Sequence, residues 1–206
     1  MYIPKHFTVG PAQADEMLHD LVAGDLVTST DDGLAATFLP LLYAPSVGDH
    51  GSLLGHVARN NEVWRGQPVG EALVIVHGPD AYISPSWYPS KAEHGRVVPT
   101  WNYVTLHVHG RLVVHDDAAW VEDLVRRLTD RHERGRERPW SVDDAPTDYV
   151  AGQLRAIVGV EVVITRVEGK AKLSQNRSAT DIDGVTAGLE AGGSDDVASW
   201  VQRLRP

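Results

Sequence analysis

Apolar residues fall at helical spacing in some segments and in strand-like runs in others, and the two kinds are mixed irregularly along the chain. Met17, Leu18, Leu21 and Val22 form one stripe, which predicts a surface helix over Ala12–Val22 ended by Gly24. Leu26–Thr30 and Leu34–Tyr43 read as strands joined by the hairpin signal Asp31-Asp32-Gly33. Pro40 inside the second run cannot donate to a ladder, so an edge or a bulge is expected there. Leu53–Trp64 is mixed and reads as a short helix with its cap, which would put His56 on one face with Arg59 or Asn60. Arg65-Gly66-Gln67-Pro68 reads as a turn. Ala72–Val76 is a continuous apolar run stopped by the turn signal Gly78-Pro79-Asp80. Tyr82-Ile83-Ser84 restarts a strand, which Pro85 and Pro89 halt.

Val97–His109 is a long strand, with Arg111–His115 extending or re-pairing it. Ala118–Thr129 carries Trp120, Val121, Leu124, Val125 and Leu128 on one stripe and reads as an amphipathic helix. After a Pro139–Pro146 linker anchored by Trp140, Tyr149–Ile157 reads as a second short helix closed by Gly159. Val160–Val167 alternates as a strand. Gly184 and Gly188 make Asp181–Glu190 a weak helix, while Asp195–Leu204 is a clearer one with Ser194 as N-cap. Strand pairs joined by tight turns imply an antiparallel sheet rather than repeated βαβ units. The expected fold is α+β, mostly β: a six-stranded antiparallel barrel with peripheral helices, in a single domain over residues 1–206 with a C-terminal helical segment from about residue 178. Tyr2, Ile3 and Phe7 make Met1–Pro11 too apolar for a free tail, so it is expected to pack on the body or on a partner subunit.

Composition narrows the chemistry. The chain has 206 residues, no cysteine and a formal charge of -9. Without cysteine there are no disulfides, thiolate metal sites or cysteine nucleophiles, which suits a cytoplasmic location. No apolar run approaches the roughly 20 residues that span a bilayer, and the N-terminus lacks a signal-peptide core. The negative charge opposes autonomous DNA binding unless basic residues cluster. Arg126–Arg138, with six arginines against three acids, is the one such stretch, and it also reads simply as a solvated face.

The stretch from Ala72 to His109 organises the candidate chemistry. Hydroxyls and an amide (Ser84, Ser86, Thr100, Asn102) stand beside Trp87 and Trp101 at strand ends. That set suits a flat ligand with polar edges, but tryptophans in a core and hydroxyls satisfying turns would look the same. Lys170, Lys172 and Arg177 with Ser174, Gln175 and Asn176 can clamp a phosphate or form a solvated loop. Ten histidines invite a metal, and His107-Val108-His109 puts two imidazoles on one strand face. No third ligand is fixed by spacing, so no metal site is assigned. Hydrolase-elbow, P-loop and dinucleotide fingerprints do not occur.

Five separated segments carry a family resemblance: Met1-Tyr2-Ile3-Pro4-Lys5-His6-Phe7, Gly55-His56-Val57-Ala58-Arg59-Asn60-Asn61, Ala81-Tyr82-Ile83-Ser84-Pro85-Ser86-Trp87-Tyr88, Val98-Pro99-Thr100-Trp101-Asn102-Tyr103 and Lys172-Leu173-Ser174-Gln175-Asn176-Arg177. In that order, over Met1 to about Leu189, they resemble the PaiB-like family of FMN-binding negative transcriptional regulators. The resemblance implies an FMN-binding split β-barrel like that of pyridoxamine-phosphate-oxidase-like proteins. It also implies a homodimer with FMN in the groove between chains. FMN needs cations and hydroxyls for its phosphate, donors for its ring edge, and apolar cover for its ring faces. Onto the motifs this places Arg59 and Lys91 at the phosphate, helped by Ser84 or Ser86, with Asn60 beside them. Thr100 and Asn102 would address the ring edge, and Trp87 and Trp101 would cover the ring. Lys172, Ser174, Gln175 and Asn176 would complete the pocket, and His56 would be the donor or acid near the ring. No catalytic residue is assigned. The implied function is regulation with possible DNA contact; an FMN-dependent oxidoreductase and a non-catalytic flavin- or haem-binding protein are the alternatives.

Overall fold

Seven strands form one antiparallel sheet: β1 (Ala23–Thr30), β2 (Gly33–Pro40), β3 (Leu42–Ala44), β4 (Ser52–Ala58), β5 (Ala72–Ile83), β6 (Thr100–His115) and β7 (Ile157–Lys172), in the order β2-β1-β5-β6-β7-β4-β3. Among the described residues six α-helices accompany them: α1 (Pro11–Asp20), α2 (Ser90–His94), α3 (Ala118–Glu133), α4 (Thr147–Arg155), α5 (Ala179–Ala191) and α6 (Asp195–Arg203). This computed structural model describes residues 1–20, 23–31, 33–65 and 70–206. Leu21 and Val22 of the first helical stripe, Asp32 of the hairpin signal, and Gly66, Gln67 and Pro68 of the expected turn lie outside the described residues. The chain forms two compact units: Met1–Ala14, His77–Leu106 and Glu168–Pro206 make the first, Asp15–Val76 and His107–Val167 the second.

The second unit is built on hairpins. β1 pairs with β2 from Ala23↔Pro40 to Thr30↔Gly33, and with β5 only over Asp25↔Ile75 to Val27↔Leu73. β4 is flanked by β3 and β7. The sheet curls, because Gly55 of β4 faces the end of β2: a Cβ there would stand 2.6 Å from the Leu39 side chain. α3 buries Leu124 and Leu128 against Ala44 and Leu54. On β2 the period of two leaves Leu34, Ala36 and Phe38 on one outward face, with Leu34 80% and Phe38 67% exposed.

The first unit ties both ends of the sequence together. The N-terminal arm joins as an added bridge, Thr8 to Lys170, with the Val9 amide donating to the Gly169 carbonyl at 3.1 Å and Phe7 buried. α5 carries the loop before α2. Its Asp181 carboxylate accepts from the Ser90 amide and hydroxyl at 3.1 and 2.9 Å. Gly184 and Gly188 let Trp87 lie on the helix, since a Cβ at either would overlap it.

Several expectations are corrected. The sheet has seven strands rather than six and is not closed by hydrogen bonds. Leu53–Trp64 is a strand followed by a one-turn 3-10 helix, Glu62–Trp64, rather than a helix and cap. Ser52–Val57 of β4 are buried or half-buried on both faces, so the sequence loses the period-two signature. Gly78-Pro79-Asp80 does not interrupt β5. Pro79 lies beyond the three residues that pair with β1, so no donor is missed on that side.

Candidate functional site

A cavity of about 110 Å³ opens in the first unit, where the start of β6 meets the end of β7. Thr100 and Asn102 line it from one strand, Lys172, Ser174, Asn176 and Arg177 from the other and the turn after it, and Phe7 and Tyr88 close it. The two strands are joined by side chains. Buried Asn102 donates its amide to the Ser174 hydroxyl at 3.1 Å. Ser174 has φ 67°, the one positive φ outside glycine among the described residues. That left-handed backbone costs on the order of 1 kcal/mol or more for a residue with a Cβ. Gln175 holds the turn, accepting from the Leu173 amide and donating to the Ala171 carbonyl at 2.8 and 2.7 Å.

The cavity is electropositive. Lys172 donates to the Thr100 hydroxyl and to the Trp101 carbonyl. Burial, then the Lys170 and Arg177 charges, push its pKa down. Among the described residues, no carboxylate lines the cavity. The Arg177 guanidinium sits 4.8 Å from the Tyr88 ring centre, and the Tyr88 hydroxyl is buried without a hydrogen-bond partner among the described residues. Buried polar groups are normally satisfied, and a cation cluster disfavours its own charge. Both observations fit an anionic ligand with several acceptor oxygens, such as a phosphate monoester. The phosphate of FMN meets that requirement.

The remaining candidates are placed as follows. Trp101, 47% exposed, donates its indole N–H to Asp80 at 2.9 Å and meets Tyr82, 49% exposed, edge to face at 6.2 Å. Ser84 caps a 3-10 turn, Pro85–Trp87, and the Lys91 ammonium bonds the Ser86 hydroxyl at 3.1 Å. Trp87 is taken up against α5. His56, Arg59 and Asn60 belong to the second unit. There Arg59 forks onto Asp116 at 2.6 and 3.0 Å and donates to the Arg155 and Ile157 carbonyls. Asn60 is exposed in a turn. Arg177, read from the sequence as one cation of a phosphate clamp, lines the cavity. Phe7 and Tyr88 were not singled out as site residues, although each stands inside one of the five motifs; the signal was the motif, and what was missing was the pairing of β6 with β7.

The sequence family described as "Putative FMN-binding domain" matches residues 1–166. This chain belongs to that FMN-binding family. Its similarity to protease synthase and sporulation protein PAI 2 of Bacillus subtilis is 33% identity over 192 residues, covering 92% of this chain and 89% of the relative. The PaiB-like resemblance is thereby shown, and FMN is the cofactor of this FMN-binding domain. Among solved structures, a conserved hypothetical protein of Mycobacterium tuberculosis superimposes with a TM-score of 0.57 at 12% identity, covering 86% of this chain and 94% of that one. An FAD and heme binding protein of Mycobacterium smegmatis gives 0.55 at 18% identity, with 89% and 80% covered. At such identities these two speak for the split-barrel fold alone. Among the described residues, no helix is long and apolar enough to cross a membrane.

Proposed function

We propose that this PaiB-like protein is a cytoplasmic, homodimeric negative transcriptional regulator that holds FMN by its phosphate in the Lys172–Arg177 cavity. The observation that carries the placement is the convergence of two cations, a buried amide–hydroxyl pair and an unpartnered tyrosine hydroxyl with no carboxylate among them. At about 110 Å³ the cavity is well below the roughly 300 Å³ at which pockets take a whole drug-sized ligand. It therefore receives the phosphate end. The ring is left outside the cavity. Lys172 orients the phosphate, Thr100 and Asn102 hold Lys172 and Ser174 in place, and Tyr88 donates its free hydroxyl. Bound FMN would supply one- or two-electron redox chemistry.

Titration with FMN and riboflavin tests this. FMN is expected to bind, and riboflavin, lacking the phosphate, to bind far more weakly. Lys172→Met should weaken FMN about tenfold or more, since a hydrogen bond to a charged group contributes about 1.5–3 kcal/mol, and leave riboflavin unchanged. Equal binding of the two flavins would remove the phosphate assignment.

The arginines of α3 and of the segment after it favour a second reading, an FMN-dependent oxidoreductase. Arg126 is paired with Glu122 and Asp143, Arg127 with Asp123, and Arg136 with Glu133. A basic stretch in which three of the six arginines are paired with carboxylates is a weaker grip on DNA phosphates. Bleaching of the flavin band by NAD(P)H without any gel shift on promoter DNA would favour the enzyme; the reverse would favour the regulator.

A further inference from the structure

The second unit carries a pocket that the flavin proposal does not use. Two cavities of about 260 and 310 Å³ share His56 and Trp140 in their walls. The smaller is walled by Val125 of α3, Val150 and Leu154 of α4 and Ile157 of β7, and among the described residues no acid, lysine or arginine lines it. Its mouth is fixed by a pinned strap. The Trp140 amide donates to Glu133 at 3.0 Å, Arg126 donates to Asp143 at 2.9 Å, and Ser141 and Asp144 form a capping box. Yet the indole borne on this strap is 48% exposed, and exposed Tyr149 lines the same cavity. A large ring carried on a fixed backbone at a cavity wall has only its two side-chain torsions to lose when a ligand stacks on it. His56 gives the pocket a polar wall. Its Nδ1 is buried with no partner among the described residues, and burial keeps the ring neutral at pH 7. A neutral imidazole offers one donor and one acceptor.

We propose that this pocket binds a small, uncharged aromatic molecule carrying a hydrogen-bonding group, stacked on Trp140 and bonded to the His56 imidazole. The volume, just under the roughly 300 Å³ of drug-sized pockets, admits one or two fused rings. An ionised ligand would give up its hydration and find no counter-charge on these walls. Neither the site nor its test depends on FMN.

Indole is the probe, titrated into the full chain with and without added FMN while the His56 ring nitrogens are followed by NMR. Indole should bind in about the millimolar range, as fits a fragment of its size, and should shift the His56 nitrogens. Indole-3-carboxylate, the same rings with a charge, should bind at least about tenfold more weakly, the scale of an unpaired buried charge. Trp140→Ala should weaken indole by about tenfold or more, as loss of an aromatic anchor does, without lowering the melting temperature much, because the ring is half exposed. Leu154→Trp should fill the pocket and abolish binding. Silent His56 resonances at saturating indole, binding that survives Trp140→Ala, or equal binding of the carboxylate would each overturn the proposal.

Discussion

Ser174 shows how the proposed flavin site is set against stability at the level of one residue. Its left-handed backbone is strained, while its hydroxyl satisfies buried Asn102. Ser174→Ala keeps the strain and leaves a buried amide unpaired, so it should destabilise by about 1–3 kcal/mol in urea unfolding. Ser174→Gly relieves about 1 kcal/mol of strain and should come out closer to neutral, yet it removes the same hydroxyl from the cavity and should weaken FMN as much as the alanine does. Lys172 carries the pH dependence of binding. Its pKa is held down, so the charge that grips a phosphate is lost at a lower pH than for a free lysine. FMN affinity should fall as pH rises through that depressed pKa, and Lys172→Met should flatten the profile. His56 acts in the opposite range. Its folded pKa lies below the ordinary value near 6.5, so the unfolded state takes the proton first. That contribution is absent above the ordinary value and turns destabilising as pH falls below it. From about pH 8 to about pH 5.5 the wild type should lose more urea stability than His56→Gln does.

Elements explain which parts of the sequence were readable. Helices with one apolar stripe, α3 and α6, were legible because one face is buried and the other wet. β4 and the continuous β5 were not, because a strand apolar on both faces and a proline past the end of a ladder carry the same signals as a helix and a turn. The glycines of α5 look like weakness in a helix and are docking positions for Trp87 instead. A Cβ at Gly184 meets the Trp87 backbone carbonyl, which cannot rotate away. Gly184→Ala should therefore cost about 2–3 kcal/mol in unfolding measurements despite its better helix propensity. The motif residues of the flavin site were visible one segment at a time. That Thr100 and Asn102 would meet Lys172 and Ser174 needed the pairing of strands far apart in sequence, which no local pattern encodes.

At the level of the whole molecule, the proposed homodimer needs an apolar surface to cover, and the outward face of β2 offers one. Leu34 and Phe38 are exposed on an edge strand, where isolated chains are prone to pair. Phe38→Asp should shift the protein from dimer to monomer in sedimentation experiments; an unchanged mass would place the subunit contact elsewhere. A different consequence follows from the way the chain visits its two units. It passes between them after Ala14, Val76, Leu106 and Val167, and each passage falls inside α1 or one of the long strands β5, β6 and β7. There is no tether for a protease to nick at those points, and neither half is a continuous stretch of gene. Fragment expression should thus yield insoluble pieces rather than two foldable modules, and the place to split or circularly permute this protein is a surface loop, not the seam.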